Sequence, residues 1–142
     1  MKRILGIDFG EKRIGLALSD PEGQFAVPLE TVRRTSDAQA IRQIIDTALD
    51  LEVECLVVGE PLNLDGSRGP ASARASSFAR KLAAESGLPV EMTDETLTSV
   101  AAEERLREAG IDPRRHPEKI DATAAQILLQ QYLDESSSRP DD

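Results

Sequence analysis

Gly6-Ile7-Asp8-Phe9-Gly10-Glu11-Lys12-Arg13-Ile14-Gly15-Leu16-Ala17-Leu18-Ser19-Asp20 sets an acid inside an apolar run and then turns back on itself. Residues 3–9 alternate as a strand does, with Leu5, Ile7 and Phe9 on one face and Ile4, Gly6 and Asp8 on the other. Asp is depleted in strands, and a carboxylate in a buried one is costly unless it is paired or holds a metal. A turn Asp that closes the strand before Gly10 is the plain alternative. The apolar pattern resumes at Ile14, which places Asp8 inside a sheet and favours a functional carboxylate.

Outward from this stretch, a second strand runs over 13–19, and the short connection through Gly10 makes the pair a hairpin. Asp20-Pro21-Glu22-Gly23 is a further turn, and a third strand over 26–31 completes an antiparallel meander. Ser36-Asp37 caps a helix whose Ile41, Ile44, Ile45, Ala48 and Leu49 recur at helical spacing. Residues 55–59 are apolar on both faces, which suits a central strand reached by a helical crossover. A Pro-, Gly- and Asn-rich loop follows, then a helix over 72–86 stopped by Gly87, a fifth strand over 88–93, and helices over 99–109 and 120–133. The class is α/β, with one domain over 1–134 and an acidic tail, 135–142, expected to be disordered.

The 142 residues carry a net charge of -9, which argues against coating nucleic acid by bulk electrostatics but leaves room for a local basic groove. The single cysteine, Cys55, lies in an apolar run and reads as core; it excludes a disulfide framework and fits a reducing compartment. No long apolar segment and no cleavage-type signal is present, so the expectation is a soluble, cytoplasmic protein without a membrane partner.

In open α/β sheets ligands bind beyond the carboxyl ends of the strands. Asp8 lies near the end of the first strand, Glu60 and Asn63 follow the fourth, Asp94 and Glu95 follow the fifth, and Asp121 opens the last helix. Carboxylates without a His or Cys partner suit a hard cation, Mg²⁺ or Mn²⁺, and two such ions can clamp a phosphodiester. Each acid has a structural alternative: a helix cap for Asp121, an Asx-turn for Asp94, a solvated loop for Glu95, a solvent-facing side chain for Glu60. His116 reads as a surface loop residue. Arg68, Arg74, Arg80 and Lys81 form a positive island free of acids between Gly66 and Ala84. Arg68, Arg74 and Lys81 are placed to track a phosphate backbone, or else form a solvated helix face. Lys12 and Arg13, and Arg114, Arg115 and Lys119, bring further positive charge near the acids. Aromatics are too scarce for a base-stacking platform.

GIDFGEKRIGLALSD, VVGEPLNLDGS, DETLTS and EKIDATAAQILLQQYL, in this order, closely resemble the bacterial YqgF (RuvX) family. The resemblance implies a ribonuclease H-like fold: a five-stranded mixed sheet, its first three strands antiparallel, with helices on both faces. It implies a relationship to Holliday-junction resolvases and a hydrolase that processes the 5′ end of pre-16S rRNA in ribosome biogenesis. Carried over, the family's acids fall on Asp8, Glu95 and Asp121 as catalytic metal ligands, its Lys-Arg pair on Lys12 and Arg13, and its Asn-x-Asp-Gly loop on Asn63, Asp65 and Gly66. Two positions depart from the pattern: Glu60 stands where Leu is usual, and Thr96 where Arg is usual. A branched-DNA nuclease of resolvase type and a non-catalytic RNA-binding module are the alternatives. A resolvase of a two-fold symmetric junction needs a homodimer, whereas trimming an RNA end does not, so the oligomeric state stays open. IDFGEKRIG also resembles the phosphate loop of actin-like and sugar-kinase ATPases, which close two such domains around a nucleotide.

Overall fold

The computed structural model describes residues 3–95 and 98–137. Strands β1 (Ile4–Phe9), β2 (Arg13–Ser19), β3 (Ala26–Arg33), β4 (Cys55–Glu60) and β5 (Val90–Asp94) form one sheet in the order β3-β2-β1-β4-β5. The meander is antiparallel and β4 and β5 run parallel to β1. Helices α1 (Asp37–Asp50) and α2 (Pro70–Ser86) make the parallel connections, and α3 (Thr98–Glu108) and α4 (Pro117–Ser137) follow.

Side-chain alternation sorts the two faces. Leu5 and Ile7 of β1, Leu16 of β2, and Leu56 and Val58 of β4 pack against Ile41 and Ile44 of α1 and Phe78 and Leu82 of α2. The other face is made of small residues. Ala17 and Ala26 meet Ala125, Leu129 and Leu133 of α4, and a Cβ at Gly6 would stand 2.8 Å from the Leu129 Cβ. The glycine lets α4 lie directly on β1. Helix α3 joins this layer through Ala102 against Ala124 and Ile127.

The register places the acid in a gap of its own. Asp8 pairs with Gly15 on β2, and the parallel register Ile7↔Val58 brings it beside Gly59 on β4. Neither neighbour has a side chain on the α4 face, so the α4 backbone at Asp121 and the Glu95 carboxyl close in on either side of Asp8.

Two expected boundaries are corrected. The last helix begins at Pro117, not near 120, because proline at the first helical position needs no hydrogen-bonded N–H. It also runs through Ser137, so residues 135–137 of the expected tail are a further helical turn, with Gln130 Nε2 donating to Asp134 Oδ1 at 3.1 Å. Residues 138–142 lie outside the described residues, as does Thr96. Among the described residues no helix is long and apolar enough to cross a membrane.

Candidate active site

Asp8 projects from β1 toward α4, and Glu95 directly follows β5. The Glu95 backbone is fixed at both ends: its N–H donates to the Glu60 carbonyl at 3.2 Å, and its carbonyl accepts from Thr98 Oγ1 at 3.0 Å at the start of α3. That anchoring sends the side chain over Gly59, where a Cβ would stand 2.5 Å from Glu95 Oε2. Glu95 is 8 % exposed, which excludes the solvated-loop alternative.

The Asp8 and Glu95 carboxyl groups hydrogen-bond each other, so one of them holds a proton. Burial, and then the Asp8 hydrogen bond and charge, push Glu95 up to about 10. Burial raises Asp8 as well, while the hydrogen bond with Glu95 works in the opposite direction. Glu95 Oε2 is buried with no hydrogen-bond partner. A proton-sharing carboxyl pair with an orphaned oxygen fits a hard divalent cation in place of the proton.

Asp121 lies in the second turn of α4 and lines the same cleft, of about 260 Å³, as Asp8 and Glu95. Because the helix starts four residues earlier, Asp121 is not its cap. Its carboxylate accepts instead from Arg13 Nε at 2.7 Å, and burial holds it above the ordinary carboxylate range against the pull of Arg13. With Asp121 turned onto Arg13, no three acids among the described residues stand close enough to hold one ion together.

The positive residues scatter more than the sequence suggests. Arg74 lines the acid cleft. Arg68 Nε instead pairs with Glu60 at 2.8 Å, and Lys81 Nζ with Asp37 at 3.3 Å. Lys12 lines a separate cavity together with Arg13, and Lys119 is exposed on the first turn of α4. Asn63 organises its own turn, Nδ2 donating to Ser67 Oγ at 2.9 Å. Glu60 is neither solvent-facing nor a fourth acid of the site. Strand alternation turns it to the α2 side, where its Oε2 also accepts from Ser72 Oγ at 2.6 Å. His116 sits beside Glu118, with Nδ1 3.4 Å from its carboxylate, outside the cleft.

Arg34 escaped the sequence reading. It lines the cleft, its guanidinium lies 5.0 Å over the Phe9 ring, and Phe9 in turn stacks on Phe78. Its signal is the dibasic Arg33-Arg34 at the end of β3, across the hairpin from Lys12-Arg13: the Arg34 N–H donates to the Lys12 carbonyl at 2.8 Å.

Among solved structures, Thermus thermophilus RuvC bound to a Holliday junction is similar at TM-score 0.61 and 18% identity, covering 97% of this chain and 98% of that one. Fowlpox virus resolvase with its junction DNA is similar at TM-score 0.60 and 13% identity, over 96% and 99%. The five-stranded mixed sheet and these likenesses define the class as ribonuclease H-like. The family model RuvX, described as Holliday junction resolvase, matches residues 2–135, and the chain belongs to that family. A relative from Chloroflexus aggregans is 48% identical over 92% of both chains. One from Moorella thermoacetica is 48% identical over 93% of this chain and 94% of its own. Both carry the name "Putative pre-16S rRNA nuclease". This membership sets aside the ATPase reading.

Proposed function

We propose that this chain is a cytoplasmic, divalent-metal-dependent nuclease that processes the 5′ end of pre-16S rRNA. The observation that carries the reading is the buried Asp8–Glu95 pair, two hydrogen-bonded carboxyl groups near the end of β1 and just after β5, with one oxygen left without a partner. Asp8 and Glu95 would hold Mg²⁺ or Mn²⁺, and Asp121 would join them from α4. When bound, the cation supplies Lewis acidity to a water and to the phosphoryl oxygens.

The chain's own groups do the rest. Glu95 would release its proton to water when the cation enters, and the Asp8 and Glu95 carboxylates would then face the cation. Arg74, which has no ion-pair partner among the described residues, balances the phosphate charge at the cleft wall, and Arg34, fixed on Phe9 and paired with Asp37 at 3.0 Å, adds to it only in part. Arg68, Lys81, Lys119 and Asn63 serve this reading only as outlying contacts, since three of them already hold other partners and Lys119 stands apart. The names of the relatives support RNA as the substrate, and trimming an RNA end requires no two-fold symmetric assembly, so a monomer suffices.

The test is cleavage of a 5′-extended pre-16S RNA fragment, beside a four-way DNA junction, with Mg²⁺, Mn²⁺ or EDTA. The wild-type protein cuts the RNA only with metal. Asp8→Asn lowers that rate by more than about a hundredfold, beyond what loss of a group behind the ligands costs, and leaves the fold intact. An Asp8→Asn protein that cuts at the wild-type rate sinks the reading, and cutting of the junction alone moves the substrate to DNA.

A further inference from the structure

The Arg13–Asp121 ion pair stands between two cavities of opposite character. Asp121 faces the acid cleft, while Arg13 lines a cavity of about 400 Å³ shared with Lys12, Arg33 and Glu118. Arg13 and Arg33 are directly opposite each other in the β2–β3 register. Like charges in that relation repel, and Asp121 answers Arg13 but leaves the charge of Arg33 unbalanced. Neither Lys12 nor Arg33 has an ion-pair partner among the described residues. The one acid of the cavity, Glu118, stands at its rim, half exposed and 3.4 Å from His116. The Thr31 hydroxyl in the wall already donates to the Glu118 carbonyl at 2.8 Å, so the polar groups open to a ligand there are cationic.

Three cations around one small cavity match a phosphate, and the planar guanidinium of Arg13 can present one edge to a carboxylate or to a phosphate oxygen pair. We propose that this cavity takes a backbone phosphate of the RNA strand, and that the phosphate competes with Asp121 for Arg13, so that seating the strand frees Asp121 to join Asp8 and Glu95. This rests on the nuclease reading above and assigns that site a control: its third ligand is withheld until substrate is present. Binding is reciprocal, so metal and RNA each tighten the other.

The experiment is a calorimetric titration of Mn²⁺ into the full chain, alone and saturated with a 2′-O-methyl RNA oligomer verified intact on a gel. In the wild type the RNA lowers the Mn²⁺ dissociation constant about fivefold or more. Asp121→Asn measures the general attraction of cations to RNA, and the wild-type coupling exceeds it. Arg33→Ala binds the RNA more weakly and loses the excess coupling, while its Mn²⁺ affinity without RNA is unchanged. Arg13→Gln binds Mn²⁺ more tightly than wild type without RNA and shows no excess coupling; if that variant does not fold, Arg33→Ala and Asp121→Asn carry the test. Wild-type coupling no greater than that of Asp121→Asn, or wild-type RNA affinity in Arg33→Ala, overturns the inference and leaves the nuclease reading standing. Absence of any Mn²⁺ binding by the wild type, with or without RNA, overturns both.

Discussion

Glu95 concentrates the tension of the site in one side chain. It is buried against Gly59, hydrogen-bonded to a second acid, and pushed by burial up to about 10, far above its ordinary range. An acid whose folded-state pKa is raised binds more protons in the native state than in the unfolded one between the two values. Its favourable contribution is complete below about 4.5 and is lost as pH rises toward about 10. The metal-free protein therefore loses stability from this group between pH 5 and pH 8, and Glu95→Gln, which never ionises, escapes that loss. The variant should be more stable than metal-free wild type at pH 8, by up to about 1.4 kcal/mol for each pH unit above the unfolded value, and close to it at pH 5, at the expense of cleavage. Thermal melts at the two pH values, with and without Mg²⁺, check this: Mg²⁺ raises the wild-type melting temperature and leaves Glu95→Gln unmoved. At this scale the sequence was informative about acids and poor about cations. Asp8 is legible because a charge inside an apolar strand is rare, and Glu95 because ligands gather beyond strand ends. Arg34 is not, since nothing in a polar connection tells that its guanidinium lies over Phe9.

The placement of α4 against the hairpin is what turns three distant acids into one cleft, and a glycine makes it possible. Gly15 is the β2 partner of Asp8, and a Cβ there would fall against the Asp121 carbonyl, main chain against main chain. Backbone cannot rotate out of the way as a side chain can. Gly15→Ala therefore has to push the second turn of α4 off the sheet, costing about 1 to 3 kcal/mol or more and moving Asp121 away from its partners. The check is a denaturant melt together with Mn²⁺ affinity: both fall. By contrast Gly59→Ala meets the flexible end of Glu95, so stability changes less than metal affinity does. The sequence reading placed every strand and helix that forms this arrangement. It mistook the start of α4 because Ile120 is where the apolar stripe begins, whereas the helix is nucleated by Pro117 one turn earlier on a polar face. That one turn is the difference between Asp121 as a cap and Asp121 as a side chain aimed into the cleft.

Over the whole molecule, the sheet topology was legible because the hydrophobic patterns differ in kind. The alternating hairpin says antiparallel, the doubly apolar residues 55–59 say a central strand, and the helix between them says a parallel crossover. What no pattern encodes is how charge is distributed in space. The chain is acidic, at -9, yet Arg74 lines the cleft and Lys12, Arg13 and Arg33 lie next to it, while Arg68 is spent on Glu60 and Arg34, also at the cleft, shares Asp37 with Lys81. Strand binding should then be confined to a short track rather than spread over the surface. For single-stranded nucleic acid, the logarithm of affinity falls with the logarithm of salt at a slope of about -0.7 for each phosphate neutralised. Three to five neutralised phosphates give a slope of about -2 to -3.5. Anisotropy titrations of an RNA oligomer between about 50 and 200 mM salt measure it. Arg74→Ala should reduce the slope by about 0.7 and weaken binding to all sequences alike, as loss of one backbone contact does. Arg68→Ala, which removes a cation already neutralised by Glu60, should leave the slope where it was. A slope near -6, or an equal loss from both variants, would mean that the strand follows the whole of α2, and the short track would have to be abandoned.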